Sequence, residues 1–548
     1  MASFLESTPA AALPGLAAHA AASSGGRAPL WAARARVAIC ALFILAAVAP
    51  TLRDDYLFSD DYYWYDIEHS RPSAAVWEAT MMTVMNGRPV HGALLIASLP
   101  LLAQRGGWLV LRACGVVLLW LLAWALSRAL RKLWGEALAA WMATALTVLP
   151  GFALFSYWLV AMPCLVAAAL GACALELALR PRPARWAYVL SVVLLVLGLS
   201  AYQPFALVYF ALLGVYAASG FASRRAFALG VVAVASYYML ARLCITLFGF
   251  EIAKRGELVF APLLKARWLL VSALPFAGKL WWIGLPSHVA WFGLCALIGW
   301  GLYSVRCARS QAARCVRRGV WVVACGAMTV LPHLAVRETV TRFRTLLPLS
   351  VLIALLLMAA MIAGARPRLR SLASGVITPS AVACLMLAQA SDLWHLAVVP
   401  ERALLIQAAS ELALLRGSRP PGAGSRCVAA EQARIVHVTE LDLDVVRAGP
   451  DAIACTPRLS DDEFAAPSSQ HDFAVRGILR LARELIPGSK PDSLSMESLT
   501  GHELLQPSAA GGGLRIDLRR VGAAACARAS VVTPLWGHAL ERGNARVE

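Results

Sequence analysis

From about residue 31 onward, apolar runs and short polar breaks alternate down most of the chain. Runs near 31–50, 108–127, 136–153, 156–179, 186–201, 204–221, 226–249, 287–305, 319–336, 346–365 and 372–390 approach or reach the length a helix needs to cross hydrocarbon, roughly 20 residues for about 30 Å. They predict about eleven transmembrane helices. Two further apolar stretches are harder to place. Residues 91–103 are short and contain Pro100, and 267–285 carry Lys279 and the pair Trp281-Trp282. Both read as re-entrant or interfacial pieces, the second because tryptophan favours the headgroup layer. If both crossed, there would be thirteen spans with the same end-to-end topology.

The polar breaks are not equivalent. Arg27/Arg34/Arg36, Arg128/Arg131/Lys132, Arg180/Arg182/Arg185, Arg224/Arg225, Arg306/Arg309/Arg314/Arg317/Arg318 and Arg366/Arg368/Arg370 fall in alternate breaks, on the side of the N-terminus. Short basic loops stay on the cytoplasmic side. The expected topology therefore has a cytoplasmic N-terminus and places residues 51–92, the Tyr202-Gln203 break, residues 250–286, the stretch from Arg337 to Thr345 and everything beyond 392 outside. A crossing by 91–103 would move Arg128, Arg131 and Lys132 to the wrong side, hence the re-entrant reading.

Composition agrees. The chain is 59% hydrophobic and 15% charged, a balance that suits a polytopic helical membrane protein. Its net charge of +18 would point to nucleic acid in a soluble protein, but the cations lie where orientation requires them, so no nucleic-acid partner is expected. The cytoplasmic breaks are short and lack a glycine-rich phosphate cradle, which leaves cytosolic nucleotide chemistry without a site. No CxxC or Cys/His spacing predicts a metal. Only Cys427, Cys455 and Cys526 fall in the polar C-terminal part.

Three domains are expected. Residues 1–29, rich in Ala, Ser, Gly and Pro, read as a disordered cytoplasmic tail without the basic n-region and apolar core of a cleaved signal. Residues 30–391 form the transmembrane domain, with 51–92 as its large outer loop. Residues 392–548 open with a Pro/Gly/Ser linker at 417–425 and then alternate between strand-like and helix-like periods, predicting a small extracytoplasmic α/β domain.

Candidate chemistry gathers on the outer side. The stretch 51–92 holds two acidic pairs, Asp54-Asp55 and Asp60-Asp61, among aromatics, and runs on to Asn86-Gly87-Arg88-Pro89. A carboxylate at the edge of an apolar cavity is costly to dehydrate and can act as a general base toward a hydroxyl. A solvated acidic loop with interfacial aromatics explains the same residues. Arg337, Arg342 and Arg344 stand against the inside bias, and guanidinium suits phosphate by forked hydrogen bonding; lipid headgroups, Glu251, Glu257 or Glu338 are the competing partners. Tyr202-Gln203-Pro204 interrupts an apolar run, either as irregular backbone lining a cavity or as a plain hairpin turn. Arg112 and Arg242 lie within spans near the outer interface, where either snorkelling or a place in the cavity accounts for them.

Asp60-Asp61-Tyr62, then Asn86-Gly87-Arg88-Pro89 leading into an apolar run, resembles the first outer loop of the bacterial glucosyltransferase II family, and Tyr202-Gln203 resembles a second feature of it. Those proteins belong to the GT-C glycosyltransferases and modify O-antigen and other surface glycans, and the resemblance covers about residues 35–390. It implies an enzyme of the bacterial cytoplasmic membrane. The donor would be a polyprenyl-phosphate sugar, the acceptor a cell-surface glycan or lipid-linked glycan, and no cofactor would be needed. By the same likeness Asp60 or Asp61 activates the acceptor, and Arg88 with Arg342 and Arg344 holds the departing lipid phosphate. Asp54, Asp55, Tyr202, Gln203 and Arg337 would join the substrate site, and transfer would invert the anomeric centre. A flippase and a donor synthase are the expected partners. A transporter, flippase or polymerase for lipid-linked polysaccharide is the alternative, although the paired broken helices common in transporters are not evident.

Overall fold

The computed structural model describes residues 30–53, 56–181, 184–221, 223–251, 259, 261–280, 312–336, 341–364, 378–393, 398, 401, 405, 436–439, 480–481 and 514–517. In chain order the helices are α1 (Leu30–Val48), α2 (Asp60–Ser70), α3 (Pro72–Met85), α4 (Pro89–Leu102), α5 (Arg105–Val148), α6 (Pro163–Ala178), α7 (Arg185–Ala206), α8 (Val208–Ala218), α9 (Arg224–Leu247), α10 (Pro262–Trp268), α11 (Leu274–Gly278), α12 (Ala312–Thr329), α13 (Leu331–Ala335), α14 (Phe343–Gly364) and α15 (Thr378–Leu393). Among the described residues, five helical segments are long and apolar enough to cross a membrane: Arg34–Thr51, Arg105–Val148, Leu159–Ala178, Arg185–Ala206 and Arg224–Leu247. The expectation of a helical membrane protein holds at that level. The run expected at 287–305 lies outside the described residues, as do 1–29.

Sidedness of side chains agrees. Val37 and Leu42 on α1, Val232, Met239, Leu243 and Leu247 on α9, and Val316, Val320 and Val323 on α12 point outward. Thr144, Thr147, Ser156, Ser191 and Ser200 are buried. Apolar outside and small polar inside is the arrangement a lipid solvent favours.

The chain divides into two units: 1–52 with 73–101 and 107–390, and 53–72 with 102–106 and 391–548. In the larger unit, α6 and α7 approach closely because glycines leave room. A Cβ at Gly171 would lie 2.4 Å from the Ala206 carbonyl oxygen, and one at Gly198 3.1 Å from that of Ala167. The Ser191 hydroxyl donates to the Ala174 carbonyl at 2.8 Å across the same seam. Tyr209 on α8 ties to α9 through the Ala226 carbonyl at 2.5 Å. A second cluster joins Trp268 and Ala273 to Val330, Leu346, Leu349 and Ile353, so the helical run 262–278 docks on α13 and α14 while Leu263, Leu264 and Val271 stay exposed. Here Lys265 is buried, its ammonium donating to the His333 carbonyl at 2.8 Å and to the Val336 carbonyl. Burial pushes its pKa down.

Of three local outcomes, the first and third differ from the sequence reading and the second agrees with it. First, the stretch 51–92, expected as a loop, is largely helical, as α2, α3 and the start of α4. Its aromatic and acidic residues lower the mean hydropathy without disfavouring helix. Second, α4 has 14 residues, about 21 Å at 1.5 Å per residue, too short for a full crossing. Third, Arg128, Arg131 and Lys132 do not sit in a loop. The helix continues through them to Gly135, whose φ of 76° and ψ of 170° break α5 into two arms.

In the smaller unit, α2 begins at Asp60. Tyr56, Leu57, Phe58, Tyr62 and Tyr65 are buried, and the Tyr62 hydroxyl lies 3.3 Å from the carboxylate of buried Glu401. Arg480 donates to the Asp66 carboxylate and the Ser70 hydroxyl at 2.8 and 2.7 Å. Val436–Thr439 and Leu514–Asp517 pair in parallel. The rest of the expected C-terminal α/β domain, including its linker and cysteines, lies outside the described residues.

Candidate functional site

Asn86-Gly87-Arg88-Pro89 is a helix stop followed at once by a helix start. The Gly87 amide returns to the Val84 carbonyl at 2.8 Å and the Arg88 amide to the Thr83 carbonyl at 2.7 Å, the paired bonds of a Schellman closure. Gly87 takes the left-handed conformation that closure needs, with φ 71°. Pro89 then opens α4, where a missing N–H costs nothing. The one long polar side chain this junction presents is that of Arg88.

The break in α7 meets it. Pro204 cannot continue the helical ladder, and Tyr202 adopts φ −160° and ψ 110°, extended backbone inside a helical run. Released in this way, Gln203 turns toward the junction. Its Oε1 accepts from Arg88 Nε at 2.9 Å, and its Nε2 donates to the Asn86 carbonyl at 2.9 Å and to the Tyr237 hydroxyl at 2.5 Å. The Tyr237 hydroxyl in turn donates to the Gly87 carbonyl at 3.0 Å. Both amide atoms of Gln203 are thereby engaged, which determines its orientation. The Tyr202 ring lies beneath the guanidinium, 4.2 Å from ring centroid to Arg88 Cζ. A ring nitrogen of His91 lies 3.3 Å from the Ala201 carbonyl, one of the groups the helix break sets free.

Arg88 is thus held through Nε and through its face. Its terminal nitrogens make no hydrogen bond among the described residues, so the forked edge of the guanidinium is the part left for a ligand. That edge matches a carboxylate or phosphate.

From Tyr202 an aromatic run leads across the unit. Tyr202 meets Phe205 edge to face at 5.4 Å, Phe205 meets Phe155 at 4.8 Å, and Phe155 stacks on Trp158 at 5.8 Å. Arg344 Cζ stands 5.7 Å from the Trp158 ring. Two cations predicted from distant parts of the sequence therefore sit at the two ends of one aromatic wall.

The remaining predicted residues divide. Arg342 has an exposed side chain, and its backbone caps α14 with Thr345, whose hydroxyl donates to the Arg342 carbonyl at 2.9 Å. Asp60 and Asp61 occupy the first turn of α2, where the helix dipole favours carboxylates. Asp60 is partly exposed and Asp61 fully buried. Ser59, just before them, holds φ 51° and ψ −121°, a strained conformation for a residue with a Cβ, and its hydroxyl lies 3.3 Å from the Asp60 carboxylate. The acidic pair belongs to the smaller unit, while Arg88, Tyr202, Gln203 and Arg344 belong to the larger. Asp54, Asp55 and Arg337 lie outside the described residues. Arg242 rests on Tyr238, as a snorkelling arginine would, with Nε 2.9 Å from the hydroxyl. Arg112 does not snorkel: it is fully buried in protein.

Tyr237, Glu401 and the aromatic wall escaped sequence reading. Tyr237 sits within an apolar span, where a tyrosine ordinarily marks packing. Only the pair Tyr237-Tyr238 in midspan hinted at polar work. No protein-family model, curated protein or solved structure matches this chain.

Proposed function

We propose that the chain is an integral-membrane glycosyltransferase of GT-C type, moving a sugar from a polyprenyl-phosphate donor to a surface glycan or lipid-linked acceptor outside the cytoplasmic membrane. The observation that carries this reading is the Arg88 guanidinium, fixed by Gln203 and Tyr202 with no hydrogen bond to its terminal nitrogens among the described residues. A buried or interfacial guanidinium oriented at this cost is best explained by an anionic group it must meet in one geometry.

The chemistry follows from charge. The donor phosphodiester carries one negative charge. When an acceptor hydroxyl attacks the anomeric carbon, the anomeric C–O electrons leave with the lipid phosphate, which then carries two. Donors aimed at that phosphate stabilise the transition state more than the ground state. In this reading Arg88 supplies them, and an aspartate of the Asp60-Asp61 pair takes the hydroxyl proton. The second assignment rests on the sequence; partial exposure favours Asp60 over buried Asp61. A single displacement inverts the anomeric configuration. The N-terminus would be cytoplasmic, eleven to thirteen helices would cross, and residues 392–548 would form an extracytoplasmic α/β domain.

The test is transfer from a short-chain polyprenyl-phosphate sugar in membrane vesicles, comparing wild type with Arg88→Gln at matched protein level. Loss of transfer with unchanged protein level is the expected result. Full transfer by the variant overturns the reading.

A further inference from the structure

In the larger unit, three arginines converge on one carboxylate, with Lys132 beside them. Arg128 on α5 grips Glu176 on α6 through two bonds, Nε to Oε2 at 3.1 Å and Nη2 to Oε1 at 2.8 Å. Arg131 and Arg180 approach the same Oε1 at 3.6 and 3.8 Å, ion-pair distances without hydrogen bonds. Lys132 Nζ donates to the Leu179 carbonyl at the end of α6 at 2.7 Å. Glu176 has only a tenth of its side chain exposed, whereas Arg131 and Arg180 expose 41% and 39%. One carboxylate cannot neutralise four cations, and Arg128 already holds both of its oxygens. Among the described residues no other carboxylate pairs with the outer rim of the cluster, which therefore carries net positive charge.

The alternation of basic clusters along the sequence accounts for cations at this level of the chain. It does not explain why they are gathered. The positive-inside bias is satisfied by cations spread along a break, each solvated by itself. Gathering them raises their mutual repulsion, which an anion between them would relieve.

A second observation selects the kind of anion. Along α5, Val117, Leu121 and Trp124 follow one another at helical spacing and are exposed by 46%, 50% and 54%. The next residue in that series is Arg128, whose Cζ lies 5.0 Å from the Trp124 ring, followed by Arg131 and Lys132. An exposed apolar stripe thus runs through an interfacial tryptophan into the cation cluster. That sequence of surfaces copies a phospholipid: acyl chain, glycerol level, phosphate.

We propose that this surface is a binding site for an anionic phospholipid, its headgroup phosphate seated between Arg131, Arg180 and Lys132 and an acyl chain lying along Val117, Leu121 and Trp124. The Arg128–Glu176 pair is the floor of the site. It holds α5 to α6 and sets the spacing of the outer cations. The site is separate from Arg88 and does not depend on the function proposed for it.

The test uses the full chain in detergent, titrated with phosphatidylglycerol or phosphatidylcholine of identical acyl chains and read by native mass spectrometry of bound lipid. Wild type should retain phosphatidylglycerol about tenfold more tightly than phosphatidylcholine. The double variant R131Q/R180Q, which leaves the Arg128–Glu176 pair in place, should lose that preference, while R131K/R180K should keep most of it. Inorganic phosphate at millimolar concentration should not displace the lipid. Equal retention of the two lipids by wild type overturns the proposal, and this comparison stands even if a variant fails to fold. Undiminished preference in R131Q/R180Q also overturns it, and displacement by inorganic phosphate would reassign the cluster to a free anion.

Discussion

Arg88 and Gln203, 115 residues apart in sequence, are joined by one hydrogen bond of 2.9 Å from Nε to Oε1. The bond engages Nε, leaves the terminal nitrogens without a hydrogen bond among the described residues, and binds the helix junction at Gly87 to the break in α7. Gln203 is therefore a positioning residue for Arg88. Gln203→Leu should lower transfer by about tenfold or more, the scale of a lost hydrogen bond to a charged group, about 1.5–3 kcal/mol. Gln203→Glu should also fail, because a carboxylate oxygen would then face the Asn86 carbonyl that Nε2 now serves. Kinetics of both variants against donor concentration check this. A positioning role predicts loss of activity at normal protein level.

Tyr237 closes the same network. Tyr237→Phe should cost about 1 kcal/mol of stability, since it removes a donor to the Gly87 carbonyl and an acceptor for Gln203. Because the two side chains share one network, the double variant Tyr237→Phe with Gln203→Leu should lose less activity than the two single losses combined. A double-mutant cycle on transfer rate measures the difference; simple additivity would show that the two residues act separately.

Gly87 is the tightest point of the junction. A Cβ there would lie 2.6 Å from the Tyr237 hydroxyl, at a φ that side chains avoid. Gly87→Ala should destabilise by about 1–3 kcal/mol and lower the melting temperature. Gly319→Ala, where a Cβ meets nothing within 4 Å, should be neutral or slightly stabilising. Thermal melts of the two variants in the same detergent make the comparison.

The acidic pair should separate by environment. Asp60→Asn, at a partly exposed position, should abolish transfer while leaving protein level unchanged. Asp61→Asn, at a fully buried one, should act first on protein level and melting temperature. Full transfer by Asp60→Asn at normal level would remove Asp60 from the base role.

Lys265 gives a sign-definite pH effect. Burial lowers its folded pKa below the ordinary 10.5, so above the folded value the unfolded chain binds more protons. Stability from this group must then rise as pH climbs toward 10.5, the reverse of a salt-bridged lysine. The melting temperature of wild type relative to Lys265→Met should increase between pH 8 and pH 10. A decrease would mean the ammonium is stabilised in the fold.

Topology is testable directly. A reporter fused after Arg318 should read cytoplasmic and one after Ser391 extracytoplasmic. Reversed signals would move Arg88 to the cytoplasmic side and remove a flipped lipid donor from the mechanism.

The helical membrane class was legible in the sequence because it depends on local quantities. Run length and hydropathy mark α1, α6, α7 and α9 without reference to any partner, and alternate basic breaks propose an orientation by summing charges loop by loop. The Asn86-Gly87-Arg88-Pro89 junction and the Pro204 break were legible for the same reason, since glycine and proline constrain their own backbone. Residues 51–92 misled because low hydropathy suggested a loop, although nothing in Asp60–Ser70 or Pro72–Met85 opposes helix. Tertiary structure alone decided what the legible pieces do. It set Gln203 against Arg88, bonded the Tyr237 hydroxyl to Gln203 and the Gly87 carbonyl, placed Arg344 at the far end of an aromatic wall, and drew Arg128 and Arg131 to Glu176. Each of these relations joins residues far apart in sequence through directional contacts of a few ångströms, and such contacts arise only from helix packing that no local pattern encodes.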